Sequence, residues 1–434
     1  MSANGQTSAL DRASREWLSA PFSSSEPAWL LQQRDFAREY FKSRGLPKSS
    51  DEAFRFLPLG PLASKAFHRA NGSSKPSSIE SDAHCVASIR FVDGKPVGEV
   101  GTLPTGLFIE RLKTLLPTRG QDVERHLGRL AKPINGFAAL GLALFDDAWV
   151  VRVQKGVNVE LPLEISIEQH EGGVLSLPRL LVILEPGSHL TLVEQQVASS
   201  RESLGISAGI FEFVVGEGAE LKHVRITMRN ENAAELSLAV AEVHADAHYH
   251  SWVGSLGGAL TRLDTQVKLV GSGARVDLDG LYVARNRECV DHHTVVVHEC
   301  QNTSATETYR GILDDEAQAI FDGLIVVRPG AQQTNAQQYN RNLILSDSAV
   351  VHSKPQLEIE ADDVVCNHGA TVGRLDPQQL FYLQSRGISA AFAKQLLTAA
   401  FANELIDRCP HAALVPMIRS RVASHLGTSE AIDW

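Results

Sequence analysis

The amino-acid sequence predicts a mainly β protein, a β-solenoid with an α-helical unit at each end. Between about residues 137 and 372, short alternating runs of Val, Ile and Leu are separated by Gly, Pro, Asp and Asn, as in short strands joined by turns. A turn-and-strand pattern recurs along this region, and helical periodicity lies before and after it. We therefore expect an N-terminal helical domain with a small β element (1–135), a solenoid core (136–372) and a C-terminal helical domain (373–434).

The first unit contains a predicted helix between Ser25 and Gly45. Pro27 lies near its start and Gly45 ends it, which are favoured positions for these two residue types. Its apolar residues share one face: Trp29, Leu30, Phe36, Ala37, Tyr40 and Phe41. The polar run at 71–82 predicts a surface loop, and residues 122–131 predict a short helix.

The recurring pattern of the central region is a turn residue, usually followed by a small residue and then by alternating strand positions. It starts at eight places: Pro186, Glu217, Ala245, Ser272, Asp315, Pro329, Asp347 and Ala361. The steps between second positions are 31, 28, 27, 43, 14, 18 and 14 residues, near multiples of 14 to 15, with 18 the poorest fit. One such unit cannot bury its apolar face, whereas stacked units build a continuous core. The spacing favours a solenoid over an antiparallel sandwich of regularly spaced strands.

Helical signals return near the C-terminus. Asp376 and Ser389 are predicted N-caps of two helices, the first with Pro377 at its first position and Gly387 at its end. A third helix is predicted to end at Gly427. These helices form the small C-terminal unit.

Composition excludes several classes of protein. The formal net charge is -10, with 51 acidic and 41 basic residues, so the dense cationic face of a nucleic-acid binder is not expected. No segment approaches the roughly 20 apolar residues that span a bilayer, and the N-terminus lacks the apolar core of a signal peptide. The five cysteines include no C-x-x-C pair, which argues against a disulfide framework and a structural zinc site. We expect a soluble, cytoplasmic protein.

The motifs of common enzymes are missing from the sequence. It has no G-x-x-x-x-G-K-[ST] phosphate loop, no G-x-S-x-G elbow and no H-E-x-x-H helix, and the glycines at 254–258 are interpreted as a turn. We therefore expect a protein that is not an enzyme, with any nucleotide hydrolysis supplied by another subunit. Histidines gather at 244–250 and 292–298, but alternation along a strand scatters them over both faces, so hydrogen-bonded or solvated histidines are predicted there rather than a metal site.

Cys366 and His368 form a more specific pair. Their i, i+2 spacing on a strand places the sulfur and the imidazole on one face, where both could bind a soft or borderline metal ion. Two ligands do not complete a site, so the others would come from another strand, from sulfide or from a partner chain. Taken alone, the pair is more often a buried cysteine beside a polar histidine, and without further context this interpretation is favoured.

An ordered series of motifs resembles the SufB/SufD family of iron–sulfur cluster assembly proteins. The motifs lie at 309–313, 321–323, 331–338, 341–346, 354–359, 361–375 and 380–388, with weaker similarity at 45–47, 51–56 and 291–294. The run from Cys366 through His368 to Thr371 resembles the Cys-x-His-Gly-Ala-Thr pattern of the SufD branch, where SufB has a Glu-rich counterpart. Asn367 replaces a more usual Ser, and Ala53 replaces an aromatic residue, which affects only local packing.

The resemblance implies a right-handed parallel β-helix flanked by helical domains, and a non-catalytic scaffold subunit of the SUF complex. SufD-like proteins pair with SufB through the β-helix and bind the SufC ATPase through the C-terminal helices, supporting cluster assembly and iron acquisition; a homodimer of the isolated chain is also compatible. No tightly bound cofactor is implied for the chain alone, only a transient iron–sulfur cluster or iron at the interface with SufB. By motif, His368 would bind the metal together with a partner-chain cysteine, and Cys366 would be auxiliary. Candidates for contact with SufC are Phe381, Tyr382, Arg386 and Phe401.

A solenoid could instead belong to a polysaccharide-active enzyme. The acidic runs at 314–316 and 362–363 could supply paired carboxylates, although they lie in the turns of the repeat, where acidic residues have a structural use. Solenoid acyltransferases are a further alternative, but their strict six-residue repeat is missing.

Overall fold

Two long β-sheets form the centre of the protein, and from β11 to β22 consecutive strands alternate between them. The computed structural model describes residues 8–23, 25–70, 85–198 and 204–427, so the loop predicted at 71–82 lies outside the described residues. The strands are β1 (His68–Arg69), β2 (Ala87–Val92), β3 (Lys95–Val97), β4 (Leu107–Arg111), β5 (Trp149–Val153), β6 (Leu163–Gln169), β7 (Val174–Ser176), β8 (Arg179–Leu184), β9 (His189–Ala198), β10 (Gly205–Ser207), β11 (Ile210–Val215), β12 (Glu220–Arg229), β13 (Ala233–Val243), β14 (His248–Gly257), β15 (Leu260–Leu269), β16 (Arg275–Ala284), β17 (Cys289–His298), β18 (Ser304–Leu313), β19 (Gln318–Val327), β20 (Thr334–Ile344), β21 (Val350–Ile359) and β22 (Val364–Gly373).

The first sheet runs in the order β4-β5-β8-β11-β13-β15-β17-β19-β21, and the second in the order β3-β2-β6-β9-β12-β14-β16-β18-β20-β22. Pairing is parallel except at the starting end, where β4 with β5 and β3 with β2 are antiparallel. The chain thus winds as a parallel β-solenoid of about eight turns, and the predicted fold class is confirmed.

The repeat seen in the sequence corresponds to half a coil. Along the second sheet, in-register partners advance by 27 to 31 residues per coil from β12 to β22, so each coil contains two turn-and-strand units. At the second position of four of the predicted turns φ is positive: Gly187 (68°), Gly218 (62°), Asp246 (54°) and Gly273 (77°). Glycine enters this left-handed region without steric cost and Asp tolerates it better than most residues, which explains the recurring pattern.

The helices are α1 (Ala9–Ser19), α2 (Ala28–Arg44), α3 (Gly60–Ser64), α4 (Leu112–Glu124), α5 (Gly136–Leu144), α6 (Pro377–Ser385), α7 (Ala390–Ile406) and α8 (Val415–His425), with short 3₁₀ turns at Glu52–Phe54 and Ala412–Leu414. The helix predicted between Ser25 and Gly45 is confirmed as α2, and the three C-terminal helices are confirmed as α6, α7 and α8. Two N-caps act as predicted: the Asp376 side chain accepts from Gln378 N, and the Ser389 side chain accepts from Phe392 N.

Two features of the N-terminal unit differ from the prediction. The helix predicted at 122–131 is wrong, because α4 ends at Glu124 and the following backbone N–H groups turn towards Glu212. A helix not predicted, α5, lies where a strand region was expected to begin. Every residue of α5 is buried, so it lacks the polar face that makes a helix visible in a sequence.

Glu212 fastens the segment after α4 to the solenoid. Its carboxylate, on β11, accepts hydrogen bonds from the backbone N–H groups of Gly128 (2.8 Å), Leu130 (3.1 Å) and Ala131 (2.8 Å). The same carboxylate pairs with Arg179 on β8, and both side chains are buried. A buried charge with this many donors is stable only while all of them are present.

The segment around the first 3₁₀ turn lies along the first sheet. Arg262 Nη1, on β15, donates to the Ala53 carbonyl over 2.6 Å, and the Phe56 ring stacks on His352 of β21 with centroids 3.7 Å apart. The contact of Ala53 with the solenoid is made by its backbone carbonyl and does not depend on its side chain. These contacts connect the N-terminal unit to the last coil.

The C-terminal helices pack on the outer face of the second sheet. Trp252 Nε1, on β14, donates to the Leu405 carbonyl over 3.0 Å, and Arg310 Nη1, on β18, donates to the Phe401 carbonyl over 2.8 Å. Helix α7 contacts β16 and β18, and α8 contacts β14. Three coils therefore hold this unit. Among the described residues, no helix combines the length and apolar character needed to cross a bilayer.

Replacement of Glu212 by Ala is expected to lower the free energy of unfolding by about 3 to 5 kcal/mol, because it leaves Arg179 buried without its counter-charge. Urea unfolding followed by circular dichroism measures the change. The matched control is Glu217→Ala, five residues further along the chain in the exposed turn after β11, which should stay within about 0.5 kcal/mol of the parent. Equal stability of the two variants would contradict the role assigned to Glu212.

Candidate functional site

The last strand of the second sheet carries the Cys-x-His pair identified in the sequence. β22 pairs with β20, and within the described ranges no strand pairs with its other edge. Cys366 is half-buried and packs against the interior hydrophobic cluster, so it faces the inside of the solenoid. His368, two residues on, shares that face and is exposed because no coil covers it, whereas Asn367 points to the other side.

The thiol and the imidazole differ in their readiness to bind a metal ion. Burial raises the pKa of the Cys366 thiol, and a hydrogen bond with the backbone of Ala336 offsets this only in part. Because the thiolate is the metal-binding form of cysteine, a raised pKa makes Cys366 a weaker ligand at neutral pH. The exposed imidazole of His368 is the more accessible ligand of the two.

Exposed apolar side chains surround this pair on the last coil. Val350 and Ile359 on β21 are 44% and 42% exposed, and Val365 and Val372 on β22 are 59% and 51% exposed. The open edges of β21 and β22 also present backbone N–H and C=O groups that no strand in the described part of the chain pairs. An edge with both properties is suited to pairing with another chain.

Two buried polar residues lie in the coils directly beneath His368. Gln338 on β20 is the in-register neighbour of His368, and Glu307 on β18 is the in-register neighbour of Gln338. Gln338 Nε2 donates to Glu307 Oε2 over 3.3 Å, and Thr294 Oγ1, from the first sheet, donates to the same oxygen over 2.6 Å. Burial raises the pKa of Glu307 to about 7, although these two hydrogen bonds lower it.

Sequence analysis did not identify Glu307 and Gln338 as part of the site. Each is one polar residue among many in alternating strands. The signal that could have found them is the spacing of 31 residues between them, which equals one coil and predicts that they stack.

Four histidines of the two clusters seen in the sequence have protein partners. His248 Nε2 lies 2.8 Å from Asp277, and His250 Nε2 lies 3.0 Å from Asp279, which also pairs with Arg408 of the C-terminal unit at 2.9 Å. His292 lies 3.1 Å from Ser255 and His293 lies 2.9 Å from Asp291. In the described parts of the chain, no group of three His, Cys, Asp or Glu side chains has metal-binding geometry. A metal ion held at His368 would need further ligands from outside the described part of the chain.

The four aromatic and basic residues expected to contact a partner ATPase fall in two places. Phe381 and Tyr382 on α6 are 73% and 57% exposed, and the Arg386 guanidinium lies 5.2 Å from the Tyr382 ring. These three form one exposed patch, the α6 patch, on a helix with no buried residue. Phe401 lies apart from it, half-buried, with the Arg310 guanidinium of the solenoid 4.9 Å from its ring.

The acidic residues considered for a polysaccharide-active site lie at the corners of the coils. Asp315 Oδ2 accepts the backbone N–H of Asn286 over 3.0 Å, and Asp314 Oδ1 accepts the N–H of Asp315 over 3.0 Å. Asp362 and Asp363 are exposed in the turn before β22. These contacts give the first run a role in joining successive turns.

Comparisons with known proteins agree with this geometry. Residues 166–401 match the family model described as the SUF system FeS cluster assembly, SufBD core domain. The chain is similar to the iron-sulfur cluster assembly protein SufD of Escherichia coli, with 30% identity over 395 residues, 88% of this chain and 90% of that protein. It is similar to a SufBD family protein of Mycobacterium tuberculosis, with 31% identity over 387 residues, 87% of this chain and 88% of that one. A SufBD family protein of Synechocystis is 27% identical over 421 residues, 93% of each chain.

The raised pKa of Glu307 predicts a pH-dependent stability. The unfolded carboxyl ionises near pH 4.5 and the folded one near pH 7, so between these values the folded state binds more protons and the free energy of unfolding falls as pH rises. From pH 5 to pH 8 the parent should lose roughly 2 to 3 kcal/mol relative to Glu307→Gln, which cannot ionise. Urea unfolding of both proteins at the two pH values measures this difference. Parallel pH profiles would show that Glu307 does not titrate as described.

Proposed function

The chain belongs to the SufBD family of the SUF system of iron–sulfur cluster assembly, and on this premise we propose that it is a non-catalytic scaffold subunit that pairs with SufB and binds the SufC ATPase. In this role it takes the SufD position of the complex and supports cluster assembly and iron acquisition. The observation that carries the proposal is the location of His368, exposed on the unpaired last strand of the solenoid.

The open edge supports pairing with SufB. Strand edges bind other strands through their free N–H and C=O groups, and the exposed Val365 and Val372 would be removed from water by a partner. A second solenoid docked on this end would bring its own side chains next to His368. The interface would then contain the additional ligands that this chain lacks among its described residues.

The chemistry of a shared site is sound for iron. A thiolate from a cysteine of SufB and the imidazole of His368 are both established types of ligand for iron–sulfur clusters. The transient cluster, or iron on its way to it, is cargo of the complex. Cys366, whose thiol pKa is raised by burial, would act as an auxiliary group that lines the site.

The C-terminal unit supports binding of the ATPase. The α6 patch, formed by Phe381, Tyr382 and Arg386, combines two exposed aromatic rings with a cation, the residue types that most often dominate binding energy at interfaces. Phe401 would act indirectly, since its carbonyl and ring hold α7 on Arg310 of β18. If nucleotide-driven motion of the ATPase displaced the α6 patch, the contact between α7 and Arg310 would transmit that movement to the coils that precede His368.

Replacement of His368 by Ala should reduce the cluster content of the anaerobically purified complex by about tenfold, because an iron ligand is lost. The complex itself should remain intact, since the imidazole contributes little buried area. Iron analysis and visible absorption measure the cluster, and gel filtration measures assembly. Asn367→Ala, one residue away on the opposite face, is the matched control and should retain the parent's cluster content. A normal yield from the His368 variant would refute its proposed role.

Replacement of Phe381 by Ala should weaken binding of SufC by about 30-fold, which corresponds to roughly 2 kcal/mol for a central aromatic contact. Isothermal titration calorimetry with purified SufC measures the affinity. Phe36→Ala is the control, because Phe36 is also an exposed aromatic residue, 59% exposed, but lies on α2 at the other end of the chain. Unchanged affinity of the Phe381 variant would exclude the α6 patch as the docking surface.

A further inference from the structure

One column of side chains leads from the interior of the solenoid to His368. Successive strands of the second sheet place six residues at the same register position: His223, Ser251, Leu278, Glu307, Gln338 and His368. Neighbouring strands lie about 4.8 Å apart, so side chains at one register position stack directly on one another. The last three members of the column are polar.

Gln338 and Glu307 each keep one oxygen without a hydrogen-bond donor. Both side chains are 0% exposed, and in the described part of the chain neither Gln338 Oε1 nor Glu307 Oε1 has a partner. Glu194, a buried carboxylate deeper in the solenoid, differs in this respect, since it accepts from Gln196 at 2.7 Å on one oxygen and contacts His223 at 3.1 Å on the other. Asp279 Oδ1 and Asp291 Oδ1 also lack a hydrogen-bond donor, but they lie 2.9 Å from Arg408 Nε and from His293 Nε2. In the described residues, Glu307 Oε1 and Gln338 Oε1 have neither kind of partner.

The amide of Gln338 has a fixed orientation. Its Nε2 is held by the Glu307 carboxylate, which Thr294 anchors from the facing sheet. Gly323, on β19, leaves room for this arrangement, because a Cβ atom there would stand 2.3 Å from Gln338 Nε2. Because Nε2 is hydrogen-bonded to Glu307, the amide oxygen of Gln338 is the acceptor that remains without a donor. It lies one strand away from the imidazole of His368, at the same register position.

A histidine that binds a metal through one ring nitrogen almost always donates the N–H of the other to an acceptor, which sets the ring's tautomer and orientation. A buried carbonyl oxygen without a donor destabilises the folded state, and a donor that reaches it removes this penalty. We propose that Gln338 is a positioning residue for His368: its Oε1 accepts the free ring N–H when the other nitrogen binds iron, and Glu307 and Thr294 hold the amide in place. This inference rests on the proposed iron-binding role of His368.

The test uses the anaerobically purified complex of the full chain with SufB and SufC, with its cluster reduced. Electron spin-echo spectroscopy detects the ¹⁴N nucleus of the ring nitrogen remote from iron, whose quadrupole coupling depends on its hydrogen bond. Gln338→Met, which keeps the length but lacks a strong acceptor, should change this coupling and lower cluster retention by about tenfold. Gln338→Glu, which keeps an acceptor oxygen, should restore a hydrogen-bonded signal.

The control is Asn340→Leu, on the same strand and the same inward face, but in register with Ala370 instead of His368. It breaks a buried hydrogen bond to Tyr282 and so should destabilise the protein without changing the nitrogen coupling. If Gln338→Met does not assemble, Gly323→Ala displaces the amide without removing it and should give the same spectral change.

The outcomes separate the two proposals. A nitrogen coupling that vanishes in His368→Ala but is unchanged in Gln338→Met and Gly323→Ala overturns the role of Gln338 and leaves the function of His368 intact. A parent spectrum with no coupling that depends on His368 overturns both. A change in Gln338→Met that Gln338→Glu reverses, with Asn340→Leu unaffected, supports the positioning role.

Discussion

The in-register pairing of parallel strands is the constraint on which the rest of the structure depends. Each strand of the solenoid is paired by the strand one coil before it and by the strand one coil after it, so a residue's environment is set by its register partners. Apolar partners produce the interior cluster, and the polar partners Glu307 and Gln338 lie in register beneath His368. The last coil lacks this pairing on one side. Within the described residues, β21 and β22 each have a paired neighbour on only one edge. The candidate site lies where the pairing stops.

The two helical units contact different parts of this solenoid. The N-terminal unit adds antiparallel strands at the starting end and reaches the last coil through Phe56, which stacks on His352. The C-terminal helices cover the outer face of the second sheet through Trp252 and Arg310, and leave α6 exposed. In the parts of both units that the structure describes, no strand pairs with the free edge of β22. The helices therefore brace the solenoid while its end stays available.

The sequence predicted the solenoid, the C-terminal helices and the shared face of Cys366 and His368, because each depends on short-range rules. Turns were found where Gly or Asp occupies the left-handed position, but those at Asn286 and Asn302, both with positive φ, were missed, which explains the step of 43 residues in the repeat. Helix α5 was missed because it is buried on all sides. Glu307 and Gln338 could not be identified from local patterns, since they become neighbours of each other and of His368 only when the coils stack. The roles of Phe381, Tyr382, Arg386, Phe401 and His368 remain predictions, since partner chains decide them.

Under the proposed function, the exposure of His368 has a consequence for the fate of a nascent cluster. One coil below, Gln338 occupies the same register position and is completely buried. A solenoid docked on the last coil would place His368 in the same situation as Gln338, shielded from water and from dissolved dioxygen. Since iron–sulfur clusters are damaged by oxidation, subunit association would then provide a closed compartment in which an oxidisable product is built, and separation of the subunits would open it.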